Sequence, residues 1–330
     1  MYSTNAWRVY LHFCLLSTLC NFYECSQAIS KLFELPTNCS QRVYPEEDQA
    51  GPTPLSAWMA AYREAKDKGL IPDLGPSVMS NQELSYADYS TEELNSPEKV
   101  CSWTISKCVV DEDIVAAPKG MMGISFDDGP APATTLLLPF LLKHKQKATH
   151  FMIGSRILDN PEVLKQAAKV NRDHIAVHTW SHPYMTSLTD EQILGEIGWT
   201  MQIIRDKVGL IPAFWRPPYG DIDNRVRAIA SHVFNLTTVI WSDDVNDWCL
   251  TDKSYPHSEC GRGSGPQNSH DLLSDLDRIT NHTERPQERD SGIIILEHEA
   301  DERPIEAFMQ KYPSYKQIGW DPRPIPDLFG

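Results

Sequence analysis

From Lys119 onward the chain alternates short apolar runs with amphipathic segments, and this alternation most constrains its fold. Met121 to Phe126, Ala148 to Ile153, Ile175 to Val177, Thr237 to Trp241 and Ile293 to Leu296 read as buried strands, with a shorter one near Ala213 to Trp215. Helical patterns fill the intervals at Pro132 to His144, Pro161 to Val170, Asp190 to Val208, Asn224 to Val233, His270 to Thr280 and Pro304 to Tyr312. The longest opens on Thr189 and Gln192, spaced as a capping box. Strands separated by helices are predicted to lie parallel, because a crossover of that length returns the chain to the same end of the sheet.

The polar clusters choose between parallel architectures. Asp127-Asp128 follow the first strand, His178 and His182 the third, Arg216 to Tyr219 the run near Ala213, Asp243 to Trp248 the Thr237 run, and Glu297-His298 the last. A doubly wound sheet gathers ligands at its switch point, whereas a barrel brings the C-terminal ends of all its strands to one site. Reactive clusters after so many strands favour a barrel-like α/β fold.

Upstream the texture differs. Residues 29 to 115 are rich in Pro, Ser, Glu and Asp and contain one helical pattern, Ala57 to Lys68, ending at Gly69. The N-terminus reads as a secretory leader: Arg8 precedes an apolar run from Val9 to Phe22, and Ser26-Gln27-Ala28 offers a cleavage site. His12, Ser17 and Thr18 interrupt that run, so no integral membrane segment is expected in the mature chain. A secreted protein, extracellular or in a cell wall, would oxidise its cysteines. Near neighbours then pair, Cys101 with Cys108 and Cys249 with Cys260, leaving Cys39 odd. Asn38, Asn235 and Asn281 head N-glycan acceptor tripeptides. The formal charge of −15 argues against nucleic acid as a partner, and no oligomerisation signal displaces the expectation of a monomer.

Asp127-Asp128-Gly-Pro and His178-Thr-Trp-Ser-His182-Pro carry the chemistry. A catalytic site for a zinc-type ion wants about three protein ligands and an open position. Two histidines four apart and one carboxylate supply them, and the second carboxylate is left to act as a base on water. Each piece alone reads as a polar turn or an unrelated histidine pair. Together they point to a metal-dependent hydrolase.

Five segments, Ser125-Phe-Asp-Asp-Gly-Pro130, His178 to Pro183, Arg216-Pro-Pro-Tyr219, Asp244-Val-Asn-Asp247-Trp248 and Ile295-Leu-Glu-His298, resemble the ordered motifs of the polysaccharide deacetylases. That family is also called NodB-homology or carbohydrate esterase family 4, and the stretch Arg216 to Ile229 is similar to fungal chitin deacetylases. The resemblance implies a distorted (β/α) barrel over 116–312, preceded by a signal peptide (1–28) and the extension (29–115) and followed by a tail (313–330). It implies Asp128, His178 and His182 as ligands of one divalent ion, zinc or cobalt, with Asp127 as base and Arg216 as the arginine that pairs with it. It implies His298 as general acid held by Asp247, and the backbone N–H of Tyr219 joining the ion at the tetrahedral oxyanion. Leu296 and Trp248 would wall the acetyl methyl group. The implied substrate is chitin or its oligosaccharides, deacetylated to chitosan and acetate. The same chemistry on peptidoglycan or acetylxylan, or a catalytically silent carbohydrate-binding protein, are the alternatives. Ser125 stands where threonine is usual, and Glu299 where many members have aspartate.

Overall fold

A computed structural model describes residues 29–33, 42–47, 49–80, 83–250, 260, 265–281 and 285–330. The leader, Cys39, Asn38 and the remainder of the Asn281 tripeptide lie outside the described residues. In chain order the strands are β1 (Val78–Ser80), β2 (Glu83–Ser85), β3 (Met121–Gly123), β4 (Ser125–Gly129), β5 (Thr149–Met152), β6 (His174–Val177), β7 (Phe214–Trp215), β8 (Thr237–Thr238), β9 (Asp243–Asp244), β10 (Ile293–Leu296) and β11 (Asp321–Arg323). The chain divides into two compact units. One comprises Ile114–His178 and Val239–Phe329; the other comprises the residues up to Asp113 with Thr179–Thr238 and Gly330.

The first unit holds a sheet of order β11-β3-β10-β9 and a ladder β4-β5-β6, parallel throughout as the alternation predicts. The apolar run Met121 to Phe126 forms two strands rather than one. At Ile124 the chain changes neighbours: its N–H donates to the Arg323 carbonyl at 2.8 Å, and its own carbonyl accepts from Thr149 N–H at 3.0 Å. The Thr237 run is likewise cut to two residues of strand, with Val239 bridging to Ile114 and Ile240 N–H donating to the Ile114 carbonyl at 2.7 Å. Helix Thr134–His144 turns Leu137, Leu138 and Leu141 inward. Phe126 and Phe308 meet edge to face, their centroids 4.9 Å apart, in the core that these elements enclose.

The segment 313–330 is not a tail. Helix Glu302–Ile318 runs past Tyr312 to a left-handed cap at Gly319, β11 joins β3, and Ile325 and Leu328 are buried. Charged spacing hid this. Asp321-Pro-Arg lacks the apolar signature of a strand, yet at the end of a sheet only one side needs partners.

In the second unit, helix Asp190–Val208 forms with both halves of the predicted capping box in place, and Gly209 caps its end with φ 75°. Extension residues pack directly on it. Helix Ser56–Asp67 buries Trp58, whose ring meets Trp199, Phe33 and Phe234 at centroid distances of 5.4, 5.9 and 6.2 Å. A Cβ at Gly198 would stand 2.5 Å from the Trp58 ring, so glycine is what lets the indole approach. β7 and β8 pair in parallel here, and helix Asn224–Phe234 follows an N-cap from Asp223. Both expected disulfides are present, with Cα atoms 5.0 Å apart for Cys101–Cys108 and 5.3 Å for Cys249–Cys260. Among the described residues no helix is long and apolar enough to cross a membrane.

Candidate active site

β4 and β10 run side by side at their C-terminal ends and set Asp127 beside His298. Asp127 N–H donates to the Glu297 carbonyl at 2.9 Å, and Glu299 N–H donates back to the Asp127 carbonyl at 3.0 Å. Two reactive residues far apart in sequence thus become neighbours through backbone pairing alone. Gly129 leaves room for the Glu299 side chain, since a Cβ there would fall 1.9 Å from its carboxylate. Asp127 is buried, and Asp128 is half-buried with φ 70°, in the left-handed region that few non-glycine residues occupy. Arg156 holds that turn by donating to the Asp128 carbonyl.

β6 delivers His178, whose N–H donates to the Met152 carbonyl at 2.9 Å. Its Nε2 lies 3.4 Å from Asp128 Oδ1 and 3.8 Å from Asp127 Oδ2. Asp128, His178 and His182 each offer a ligand atom, and these atoms lie within 4.8 Å of one another. Two imidazoles and one carboxylate at that spacing suit a small borderline dication better than calcium, which wants six or more oxygens.

Asp247 opens the turn Asp247–Leu250 and is buried. Its Oδ1 is 2.6 Å from His298 Nδ1, and its Oδ2 accepts the His298 backbone N–H at 2.8 Å. Asp247 thus holds His298 at two points, one on the ring and one on the backbone. Burial works against the charged imidazole, but Asp247, followed by Asp128 and Asp127, outweighs it and pushes the pKa up to about 10. Leu296 is buried on β10, and Trp248 is half-buried in the turn after Asp247.

In the second unit, Arg216 directly follows β7 and is fully buried. Tyr219 sits in the turn Pro218–Gly220 with φ 60°. Its ring stacks on Tyr184 at 4.1 Å and meets the His182 ring at 4.6 Å. His182 itself has φ 62°, and its N–H donates to Thr179 Oγ1 at 3.1 Å.

Four residues of these surroundings received no role from the sequence, Glu299 having been marked there only as standing where many family members have aspartate. Tyr184 extends the aromatic surface at His182, and its signal was only an aromatic two positions past a histidine. Glu299 and His150 form a buried pair, with His150 Nδ1 2.9 Å from Glu299 Oε2 and its Nε2 3.4 Å from Asp173 Oδ2. Burial opposes the charge on His150, and the two carboxylates overcome it, raising its pKa to about 10. Lying inside an apolar run, His150 looked like strand filling. Glu196 is the fourth, hidden on the apolar helix Asp190–Val208.

Residues 115–234 match the polysaccharide deacetylase family model. Chitin deacetylase 3 of Cryptococcus neoformans var. neoformans is 40% identical over 245 residues, covering 73% of this chain and 56% of the relative. The chain carries a polysaccharide deacetylase domain over residues 115–234. It spans about half the length of the curated relatives it matches. A peptidoglycan deacetylase of Bacillus subtilis superposes with a TM-score of 0.52 at 27% identity, over 66% of this chain and 92% of that one. The chitin deacetylase of Colletotrichum lindemuthianum superposes with a TM-score of 0.57 at 19% identity, over 66% and 91%. The fold is that of the NodB-type α/β deacetylases, as the motif resemblance implies. Chitin deacetylases of fungi are among the relatives at 35–40% identity.

Proposed function

We propose that this chain is a metal-dependent chitin deacetylase that hydrolyses the N-acetyl group of N-acetylglucosamine units to acetate and a free amine. The observation carrying the reading is the pairing of Asp127 with an Asp247-held His298 at adjacent strand ends. A base and an acid side by side are what amide hydrolysis needs, because an amine leaves only when protonated.

Asp128, His178 and His182 are assigned as ligands of zinc or cobalt. A divalent ion bound there supplies Lewis acidity toward the acetyl carbonyl and lowers the pKa of water. Asp127 takes the proton from the attacking water. His298, kept protonated by Asp247, donates from Nε2 to the leaving nitrogen. Arg216 serves as the charge that orients the base, and the backbone N–H of Tyr219 donates to the developing oxyanion. Leu296 and Trp248 form the apolar wall for the methyl group. Chitin is favoured as substrate by the relatives named for it, and the two disulfides support secretion to an oxidising space.

Acetate release from N-acetylglucosamine oligomers by the metal-stripped chain, reconstituted with zinc or cobalt, tests the reading. Asp127→Ala and His298→Ala are each expected to lower release at least ~10²-fold with unchanged thermal unfolding. Full activity in either variant would sink the mechanism. Release from peptidoglycan but not from chitin oligomers would keep the chemistry and move the substrate.

A further inference from the structure

Thr179 and His182 hold left-handed backbone conformations, with φ 67° and 62°. For β-branched threonine this is a true outlier, and two such residues within four positions make a turn that the local sequence would not adopt unaided. Such strain persists only where the surroundings over-determine it. Besides the Thr179 hydroxyl that accepts the His182 N–H, one buried carboxylate gathers the middle of the turn. Glu196 is fully buried, and its Oε2 accepts the N–H groups of Trp180 at 2.7 Å and Ser181 at 2.9 Å. Its Oε1 accepts the Ser181 hydroxyl at 2.7 Å and the Gly51 N–H at 2.7 Å. Three backbone donors and one hydroxyl converge on a single carboxylate.

The fourth donor comes from the extension, and the helix is shaped to admit it. Gly195 and Gly198 flank Glu196, and a Cβ at Gly195 would lie 1.6 Å from the Pro52 carbonyl oxygen. Gly198 receives Trp58 as described above. Without Gly195 the Gly51-Pro52 segment could not approach the helix this closely. Burial raises the Glu196 pKa, the hydrogen bonds from Gly51, Ser181 and Trp180 working against that rise.

We propose that Glu196 is a positioning residue for the metal centre, locking the Thr179–His182 turn in the strained shape that presents His182 as a ligand, with the extension as its second support. The proposal rests on the metal assignment above. Residues 29–115 thereby gain a role: Gly51 and the packing of Pro52 and Trp58 hold the far side of the carboxylate that shapes the turn.

The test is zinc affinity of the full chain, measured by competition with a chromophoric chelator, together with the absorption spectrum of the cobalt form. Glu196→Gln puts an amide N–H₂ among donors and is expected to weaken zinc about 10- to 100-fold. Ser181→Ala leaves the carboxylate and three of its bonds, cannot prevent folding by burying a charge, and should weaken zinc by about 2- to 5-fold. Both should alter the cobalt spectrum at saturating metal. A merely structural Glu196 would lower thermal stability of the metal-stripped chain and leave affinity and spectrum unmoved, which overturns the proposal. If the unaltered chain binds no zinc, the metal assignment falls and takes the proposal with it. Tight zinc binding without acetate release would overturn the deacetylase reading alone.

Discussion

Asp247 shows how one residue sets the chemistry of another. Its carboxylate grips His298 through both side chain and backbone, and it is the leading influence opposing the burial that would strip the imidazole of its proton. Remove the charge and burial prevails. Asp247→Asn should therefore bring the His298 pKa down from about 10, so the pH at which activity falls on the alkaline side moves down by at least about one unit. The sign follows from the role proposed for His298: a general acid works only while protonated, and its pKa bounds activity from above. A pH–rate profile of kcat for the two proteins checks this, and an unmoved alkaline limb would mean that another group sets it. Asp128 and Thr179 make a different point at this scale. Both, with His182 and Tyr219, hold positive φ in the candidate-site segments, whereas Lys107, Lys145, Arg172 and Asn235 do so as ordinary helix caps.

Helix Asp190–Val208 is the element on which local preference and tertiary demand collide. Its capping box, acidic first turn and glycine stop are local devices, and they place both ends where the sequence predicts. Gly195 and Gly198 run against helix propensity by about 1 kcal/mol each relative to alanine. Gly195→Ala should therefore stabilise the isolated helix yet destabilise the protein, because the new methyl meets the Pro52 carbonyl at 1.6 Å. A loss of about 1–3 kcal/mol in denaturant unfolding is expected, accompanied by weaker zinc binding as Gly51 leaves Glu196. Higher stability in this variant would show that the extension packs elsewhere. The neighbouring-strand logic of β3 and β4 belongs to the same scale. One apolar run became two strands because its two ends have different partners, and no periodicity within the run records which partners those are.

For the whole molecule, half-buried His174 contributes to how stability answers to pH. Burial, aided by the charge on His150, lowers the His174 pKa from 6.5 to about 4. Between those values the unfolded chain binds a proton that the folded chain refuses, so stability falls as pH drops from 6.5 toward 4. The loss from this group is on the order of 3 kcal/mol. His174→Gln retains a polar partner for Thr149 Oγ1, which His174 Nδ1 meets at 3.2 Å. It should flatten that acid limb in urea titrations at successive pH values, and an unchanged slope would assign the limb to other groups. The sequence by itself determined the parallel α/β class, the helix Asp190–Val208 and both disulfides, and it marked Asp127, Asp128, His178, His182, Asp247 and His298 as candidate site residues. Hydrophobic period, caps and motif spacing are local and survive in one dimension. Tertiary structure alone decided that 313–330 completes a sheet, that His150 pairs with Glu299, and that Glu196 joins the extension to the His182 turn. Each of these joins residues distant in sequence, and a buried charge is selected by the partners the fold brings to it, which no neighbour along the chain announces.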